Sequence, residues 1–319
     1  NFLLDVLSIN DFFSKYDDDY NILHIPDFYV FNNIVSKTND LNFTFVIYSH
    51  NNEINLENNI SSIVYQNYSK WSIIYYNDAS SDETERSFWR LVKKYSIEDR
   101  VTYLVNKKKM GKLYCKYEMY KKSNLNDILI ILDGNDWLNS NSSLTILCNK
   151  YVEQEDLVVY SGYMSYSNKK INKTFKNFRF NENIKKKLLY RTHYILDNYY
   201  NVSAYANLFK QIPESYLKYE GEWIDSNSNL GDFLCLAELS RTKISSIDDS
   251  IYILNEDYNK YYYSKNKIKE VFNDYSRNLR PINEYRIPIY IISYTYAGFN
   301  EELLKEYMTS QEIYNYEII

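Results

Sequence analysis

The chain has 319 residues, of which 45% are hydrophobic, and its formal net charge at pH 7 is -5. This length fits one large α/β domain with flanking pieces, and the mild negative charge offers no basic face for nucleic acid. The three cysteines are too widely spaced for a zinc knuckle or a disulfide framework. No apolar run approaches the roughly 20 residues that a membrane helix needs.

The first forty residues are polar and acidic with short apolar clusters, and they predict an irregular or helical lead-in over residues 1–40. The chain begins at Asn1 rather than Met. Acidic residues such as Asp5 and Asp11 interrupt the apolar core that a signal peptide requires. We therefore expect a longer parent chain, trimmed at the front, and a cytoplasmic location.

From residue 43 onwards, apolar runs alternate with amphipathic segments. Ser80 and Ser81 are expected to cap one of these helices. The predicted order of strand and helix is typical of a mostly parallel sheet with helices on both faces. The predicted strands are 43–48, 71–76, 101–105 and 127–132, and the helices between them are 53–66, 82–95 and 112–122.

The second half of the sequence is less regular. A hairpin-like extension is predicted over 157–166 and 173–180. Helices are predicted over 199–211 and 230–239, and a late strand over 251–254.

The end of the chain carries a weak internal repeat. Residues 287–294 share the pattern of 43–50, and both runs are followed by a polar helix and an apolar strand. Two interpretations are open for residues 283–319: the start of a second domain similar to 41–282, or an ordinary closing strand and helix.

Polar side chains follow three of the predicted strands, at 48–52, 77–82 and 133–136. Ligands of open parallel sheets bind beyond the carboxyl ends of the strands. The six glycines form neither GxGxxG nor GxxxxGK[ST], which excludes the usual dinucleotide fingerprint and the P-loop. Asp133 and Asp136 offer hard oxygen ligands that suit Mg²⁺ or Mn²⁺, which can bridge a diphosphate. A plain turn is the alternative for these residues.

Four segments together resemble the family-two glycosyltransferases with the GT-A fold. They cover about a third of the chain, namely 46–51, 61–68, 77–82 and 132–138. The resemblance implies an α/β, Rossmann-like, mostly parallel sheet and a smaller acceptor-side extension. It also implies an enzyme that transfers a sugar, with inversion, from a UDP-sugar to a hydroxyl of a glycan or protein. Mn²⁺ or Mg²⁺ would be the cofactor.

The resemblance also implies roles for the donor-side residues. Tyr48 and His50 would lie near the nucleotide base and the ribose. Asp78 would accept a hydrogen bond from the imide N–H of uracil, because an ionised carboxylate only accepts. Lys109 and Lys112 are candidates for contact with the diphosphate, although each is more typical of a solvated surface charge.

By the same resemblance, Asp136 would ligate the metal and Asp133 would support the ribose or the metal site. The family motif usually has an aspartate at the position of Asn135, whose carbonyl could reach ribose or metal without contributing charge. This departure favours an alternative function, a non-catalytic module that binds nucleotide sugars. A nucleotidyltransferase is disfavoured, because residues 49–53 are not a glycine-rich basic loop.

Inverting transfer needs a general base on the acceptor side. The resemblance places Asp232 in that role, at the start of a predicted helix. A different register would put Asn229 there, without a carboxylate, and Asp225 is a third choice. Arg191 and His193 precede this region and are candidates for contact with the acceptor or the diphosphate.

Overall fold

The chain divides into two units, one formed by Lys37–Ile282 and the other by Asn1–Ser36 with Asn283–Ile319. No helix in the described residues is long and apolar enough to cross a membrane. The computed structural model describes residues 41–154, 156–175, 179–187, 190, 201–219, 221–223 and 228–259, and short strands at Asn21–Ile22, Ile289–Ile291, Ser293–Tyr294 and Tyr316–Ile318.

The larger unit combines strands and helices throughout its length. Its strands are β1 Phe43–Ser49, β2 Trp71–Asn77, β3 Val101–Val105, β4 Ile128–Asp133, β5 Trp137–Leu138, β6 Val158–Ser161, β7 Tyr163–Ser167, β8 Lys170–Phe175, β9 Asn201–Tyr205, β10 Lys218–Tyr219, β11 Glu222–Trp223, β12 Ile244–Ser246 and β13 Tyr252–Asn255. Its helices are α1 Leu56–Val64, α2 Thr84–Tyr95, α3 Lys112–Lys122, α4 Ser143–Gln154, α5 Glu182–Lys186, α6 Ala206–Lys210, α7 Ser228–Ser240 and α8 Glu256–Asn259, with 3₁₀ turns at Glu98–Arg100 and Glu214–Leu217.

Seven strands form the central sheet, in the order β12-β6-β9-β4-β1-β2-β3. β1 lies between β4 and β2 and is parallel to both, and β3 is parallel to β2. β9 runs antiparallel to its neighbours β4 and β6. The predicted α/β class with a mostly parallel sheet is therefore confirmed.

The first half of the larger unit follows the predicted order because its local patterns are strong. All seven residues of β1 are buried, as expected for a strand inside a covered parallel sheet. α2 buries Phe88, Leu91 and Val92 on one face and ends at Ser96, whose φ of 53° is left-handed. The predicted cap is wrong, because the side chain of Asp82, rather than a serine, accepts the hydrogen bond from the backbone N–H of Thr84.

The helix predicted over 199–211 is wrong for the greater part of its described length. Residues Asn201–Tyr205 are β9, and only Ala206–Lys210 is helical. Every residue of β9 is buried between β4 and β6. Asn201 and Ser203 alternate with Val202 and Ala204, as in a strand, but the run has only five residues and leads directly into a helix, so its local pattern does not separate the two structures.

A second sheet of four strands has the order β5-β13-β7-β8. β7 and β8 form an antiparallel pair with an irregularity between Ser165 and Tyr166, so a hairpin-like extension is present, although it lies at 163–175. The segment β6, predicted as part of this hairpin, joins the central sheet instead. β13 pairs with β5 and thereby lies beside the turn that follows β4.

Candidate functional site

The register of the central sheet brings the ends of β1, β2 and β4 to one edge. Ser49 at the end of β1 is paired with Asn77 at the end of β2. On the other side of β1, Tyr48 is paired with Asp133, the last residue of β4. The polar segments after these strands therefore meet at the carboxyl edge, where open α/β sheets bind their ligands.

Asp78 follows β2 and is fully buried. Its carboxylate accepts hydrogen bonds from the Tyr48 hydroxyl at 3.3 Å, Asn106 Nδ2 at 2.7 Å, and the backbone N–H groups of Met110 and Gly111, both at 2.9 Å. A carboxylate has about four acceptor sites, so these contacts use the whole group. Asp78 thus ties the loop before α3 to the sheet, and its role toward uracil stays a prediction that requires one of these contacts to be exchanged.

The turns after β1 and β2 contain two non-glycine residues with left-handed backbone. Asn51 has φ 51° and Ala79 has φ 54°. For alanine this conformation is unfavourable, and such strain is concentrated at functional sites. His50 lies between the turns, partly exposed, with Nδ1 at 2.7 Å from the backbone oxygen of Asp78. Its role near a nucleotide stays a prediction.

Gly134 lies at the turn after β4 and packs closely against β1. Its N–H donates to the backbone oxygen of Tyr48 at 2.9 Å, and Asn52 Nδ2 donates to its carbonyl oxygen. A Cβ at this position would lie 2.8 Å from Asn52 Nδ2 and 2.9 Å from the Tyr48 oxygen. Only glycine permits this approach, so residue 134 fixes the path of the polar turn.

Asn59, on α1, holds the same turn from the other side. Its Nδ2 donates to the backbone oxygens of Asp133 at 3.0 Å and Asp136 at 2.7 Å, and the side chain is fully buried. Both carbonyls belong to the turn that carries the polar side chains. Asn59 is therefore a positioning residue for the turn.

Replacing Asn59 with alanine is expected to lower the free energy of unfolding by about 2–3 kcal/mol, because two backbone acceptors lose a buried donor. Urea unfolding measures the change. Asn58→Ala is the matched control, since Asn58 lies in the same helix and is exposed, and we expect it to change stability by less than about 0.5 kcal/mol. Equal losses in the two variants would contradict the role given to Asn59.

Lys112 and Asp133 form an ion pair at this edge. The Lys112 ammonium donates to Asp133 Oδ2, and the two side chains keep 16% and 18% of their surface exposed. Lys112 is the first residue of α3, directly after Gly111 with its φ of 94°. Lys109 is exposed in the preceding loop. Of the two predicted lysines, only Lys112 is thus in contact with a predicted site residue.

Asp136 is fully buried at the end of the turn. Its Oδ2 accepts a hydrogen bond from the Tyr252 hydroxyl, and its Oδ1 accepts one from the backbone N–H of Asn255 at 2.8 Å. Burial, with the nearby charge of Asp133, raises the pKa of Asp136 to about 7. These contacts join the turn to β13 and direct both carboxylate oxygens into the protein.

The donor set at this edge does not fit the expected metal site. Both carboxylate oxygens of Asp136 already accept hydrogen bonds, from Tyr252 and Asn255. The Asn135 carboxamide is neutral, and its oxygen accepts a hydrogen bond from Asn55 Nδ2 at 3.2 Å. Within the described part of the chain, no group of three or more His, Cys, Asp or Glu residues is arranged to hold a metal ion. Ligation by Asp136 stays a prediction that requires both of its contacts to break.

Asp232 lies in α7 and is almost fully buried. Its Oδ2 accepts hydrogen bonds from Lys116 Nζ at 2.5 Å and from the Tyr120 hydroxyl at 2.7 Å, both on α3. Burial lowers the pKa of Lys116, and the charge of Asp232 opposes this shift. In this arrangement the carboxylate is directed toward α3, and its role as the base stays a prediction.

The structure describes little of the other candidates on the acceptor side. Asn229 lies in α7, and its side chain is outside the described part of the structure. Asp225, Arg191 and His193 lie outside the described residues altogether.

The sequence assigned no role of their own to three residues that organise the site, namely Asn106, Lys116 and Tyr252. A signal existed for Lys116, because it lies three residues after Leu113 and four before Tyr120, on the buried face of α3. A lysine at such a position needs a buried partner of opposite charge. Asn106 and Tyr252 carry no comparable local signal.

Comparison with known families identifies the class of protein to which this fold and the site at the carboxyl edge of its sheet belong. The sequence pattern of Glycosyl transferase family 2 matches residues 44–211, which is more than half of the chain. The chain therefore belongs to glycosyl transferase family 2, and it is a glycosyltransferase. No curated protein matches the sequence significantly.

Solved structures of similar fold are glycosyltransferases of the GT-A class. Residues 1–349 of S. aureus TarS with UDP-GlcNAc superpose with a TM-score of 0.55 and 15% identity, covering 77% of this chain and 69% of that one. GalNAc-T7 with UDP, GalNAc and Mn²⁺ gives a TM-score of 0.51 and 14% identity, covering 86% of this chain and 55% of the other. These likenesses confirm the predicted GT-A fold.

Proposed function

We propose that this domain transfers a sugar from a UDP-sugar to an acceptor hydroxyl of a glycan or protein, with inversion at the anomeric carbon. The observation that carries the proposal is the convergence of Asp78, Lys112 and Asp133 at the carboxyl edge of the parallel sheet. Nucleotides bind at this edge in open α/β sheets. The nucleotides in the TarS and GalNAc-T7 structures support UDP as the carrier.

In the proposed reaction, the acceptor oxygen attacks the anomeric carbon from the face opposite the diphosphate. The bond from that carbon to the β-phosphate oxygen breaks, and its electron pair stays on the departing UDP. A general base takes the acceptor proton. Asp232 is the candidate for this role, and it can act only after its contacts with Lys116 and Tyr120 on α3 open.

The family resemblance also implies a divalent cofactor, Mn²⁺ or Mg²⁺, and the structure of GalNAc-T7 contains Mn²⁺. Within the described residues the metal has no matching ligand set, because both carboxylate oxygens of Asp136 are hydrogen-bonded inside the protein and Asn135 is neutral. The proposed mechanism therefore contains no metal-dependent step.

A second candidate function is a module that binds the nucleotide sugar without turnover. Two observations favour it: the neutral Asn135 in the turn, and the burial of Asp232 against α3. The two candidates differ in the fate of the donor, since only the transferase releases UDP.

The test is to mix the domain with a panel of UDP-sugars and to measure thermal stabilisation and UDP release. Asp133→Asn is expected to weaken both, and the matched control Asp99→Asn, an exposed change in the turn that leads into β3, should alter neither. Stabilisation and UDP release support transfer, and stabilisation without release supports the binding module. If no UDP compound has any effect, the donor class is wrong.

We also propose that residues 283–319 begin a second unit similar to 41–282. Ile289–Ile291 pairs in parallel with Tyr316–Ile318, as β1 pairs with β2. The paired positions Ile289 and Tyr316 are separated in sequence almost as far as Phe45 and Ile73. This supports a repeated pair of parallel strands, and an experimental structure in which these strands do not pair in parallel would contradict it.

A further inference from the structure

We propose that Lys112 supplies the positive charge that stabilises the departing diphosphate, so that donor binding and transfer by this domain require no divalent metal. The inference rests on the proposed UDP-sugar transfer. It concerns how the negative charge of the donor is balanced at the carboxyl edge of the sheet.

The turn after β4 carries little charge that a metal could use. Asp136 is fully buried, with a hydrogen bond to each carboxylate oxygen. Asn135 brings an amide where the family motif has a carboxylate. A dication in a protein needs one or two accessible carboxylates besides the phosphates of the substrate. In this turn Asp133 is the one residue whose carboxylate is partly exposed.

The carboxylate of Asp133 is already paired with a cation. Lys112 donates to Asp133 Oδ2, so the pair is close to neutral before any ligand arrives. A divalent ion on Asp133 would lie within a few ångströms of the Lys112 ammonium. Like charges at such a distance repel each other strongly in a partly buried site. The pair therefore disfavours a metal at Asp133.

The protein holds Lys112 in place from two sides. Asp78 fixes the backbone immediately before it through the N–H groups of Met110 and Gly111. Asp133 fixes the ammonium at the end of β4. An ammonium has three N–H donors, and it can therefore contact a carboxylate and a phosphate oxygen together. This is the preorganised charge that stabilises a leaving group most effectively.

In the transfer step, the new bond joins the acceptor oxygen to the anomeric carbon as the bond to the β-phosphate oxygen breaks. The electron pair of the broken bond adds negative charge to UDP. Lys112 keeps its proton and neutralises part of that charge, while the acceptor proton passes to the general base.

The experiment is calorimetric titration of the full chain with UDP and with uridine, in EDTA and again with Mn²⁺. The variants are Lys112→Met, Lys112→Arg and the matched control Lys122→Met, an exposed lysine at the other end of α3. We expect the wild type to bind UDP with the same Kd, within about twofold, in EDTA and in Mn²⁺. Lys112→Met should weaken UDP binding roughly 10- to 100-fold and leave uridine binding unchanged.

The control Lys122→Met should bind UDP as the wild type does, and Lys112→Arg should retain much of the affinity because it keeps the charge. Loss of UDP affinity in EDTA that Mn²⁺ restores would overturn the inference while leaving the donor class intact. Unchanged affinity in a folded Lys112→Met variant would overturn it as well. A wild type that binds UDP under neither condition would overturn the proposed function and this inference with it.

Discussion

Methionine in place of Lys116 is expected to lower the free energy of unfolding by roughly 3–5 kcal/mol. Lys116 and Asp232 are 1% and 2% exposed, and their charged groups are 2.5 Å apart. Removal of the ammonium leaves the Asp232 carboxylate buried without its cation, while the hydrogen bond from the Tyr120 hydroxyl remains. An uncompensated buried charge is among the most destabilising changes that a single substitution can make.

Urea unfolding of the Lys116→Met variant measures this loss, and Lys122→Met is the control from the exposed end of the same helix. The double variant Lys116→Met with Asp232→Leu should recover much of the stability, because an apolar pair replaces the buried ion pair. Losses that merely add in the double variant would show that the two residues do not depend on each other.

The same pair separates two roles for Asp232. If Asp232 mainly joins α3 to α7, Asp232→Asn lowers stability and changes turnover only through unfolding. If Asp232 is the base, turnover falls by orders of magnitude in the fraction that remains folded. Turnover measured well below the unfolding temperature, with the folded fraction determined in parallel, distinguishes these outcomes.

The sequence predicts the first half of the larger unit best, because the strands and helices there have clear local patterns of apolar residues. β1 and the segments up to α3 are apolar or amphipathic runs at strand or helix period, and the structure has each of them within a few residues of the predicted bounds. The carboxyl-edge rule then locates Asp78 and Asp133 before any coordinate is known. Both predictions depend on residues close together in sequence.

The contacts that decide what the site residues do are not local, and the sequence does not predict them. Asp136 meets Tyr252 and Lys116 meets Asp232 across 116 residues in each case. Whether a carboxylate faces solvent or the protein depends on such partners, because burial and hydrogen bonding decide its availability. A sequence motif therefore predicts where Asp136 lies in the turn, although it does not predict which way its oxygens point.

Asp136 is expected to make the domain less stable as the pH rises from about 5 to 8. Its pKa is raised to about 7 in the folded protein, chiefly by burial, and an aspartate in an unfolded chain has a pKa near 3.9. Between these values the folded state binds a proton that the unfolded state lacks. The contribution of Asp136 to the free energy of unfolding therefore falls as the pH rises, by about 1.4 kcal/mol per pH unit. The fall ends above pH 7, where Asp136 is ionised in both states.

Asp136→Asn removes this titration and keeps a side chain of the same shape. The difference in unfolding free energy between variant and wild type should shift in favour of the variant by roughly 2–3 kcal/mol from pH 5 to pH 8. Urea unfolding at each pH measures it, and exposed Asp99→Asn should leave the wild-type slope unchanged. A difference that does not vary with pH would show that Asp136 has the same protonation state in the folded and unfolded protein over this range, and the expected loss of stability would be wrong.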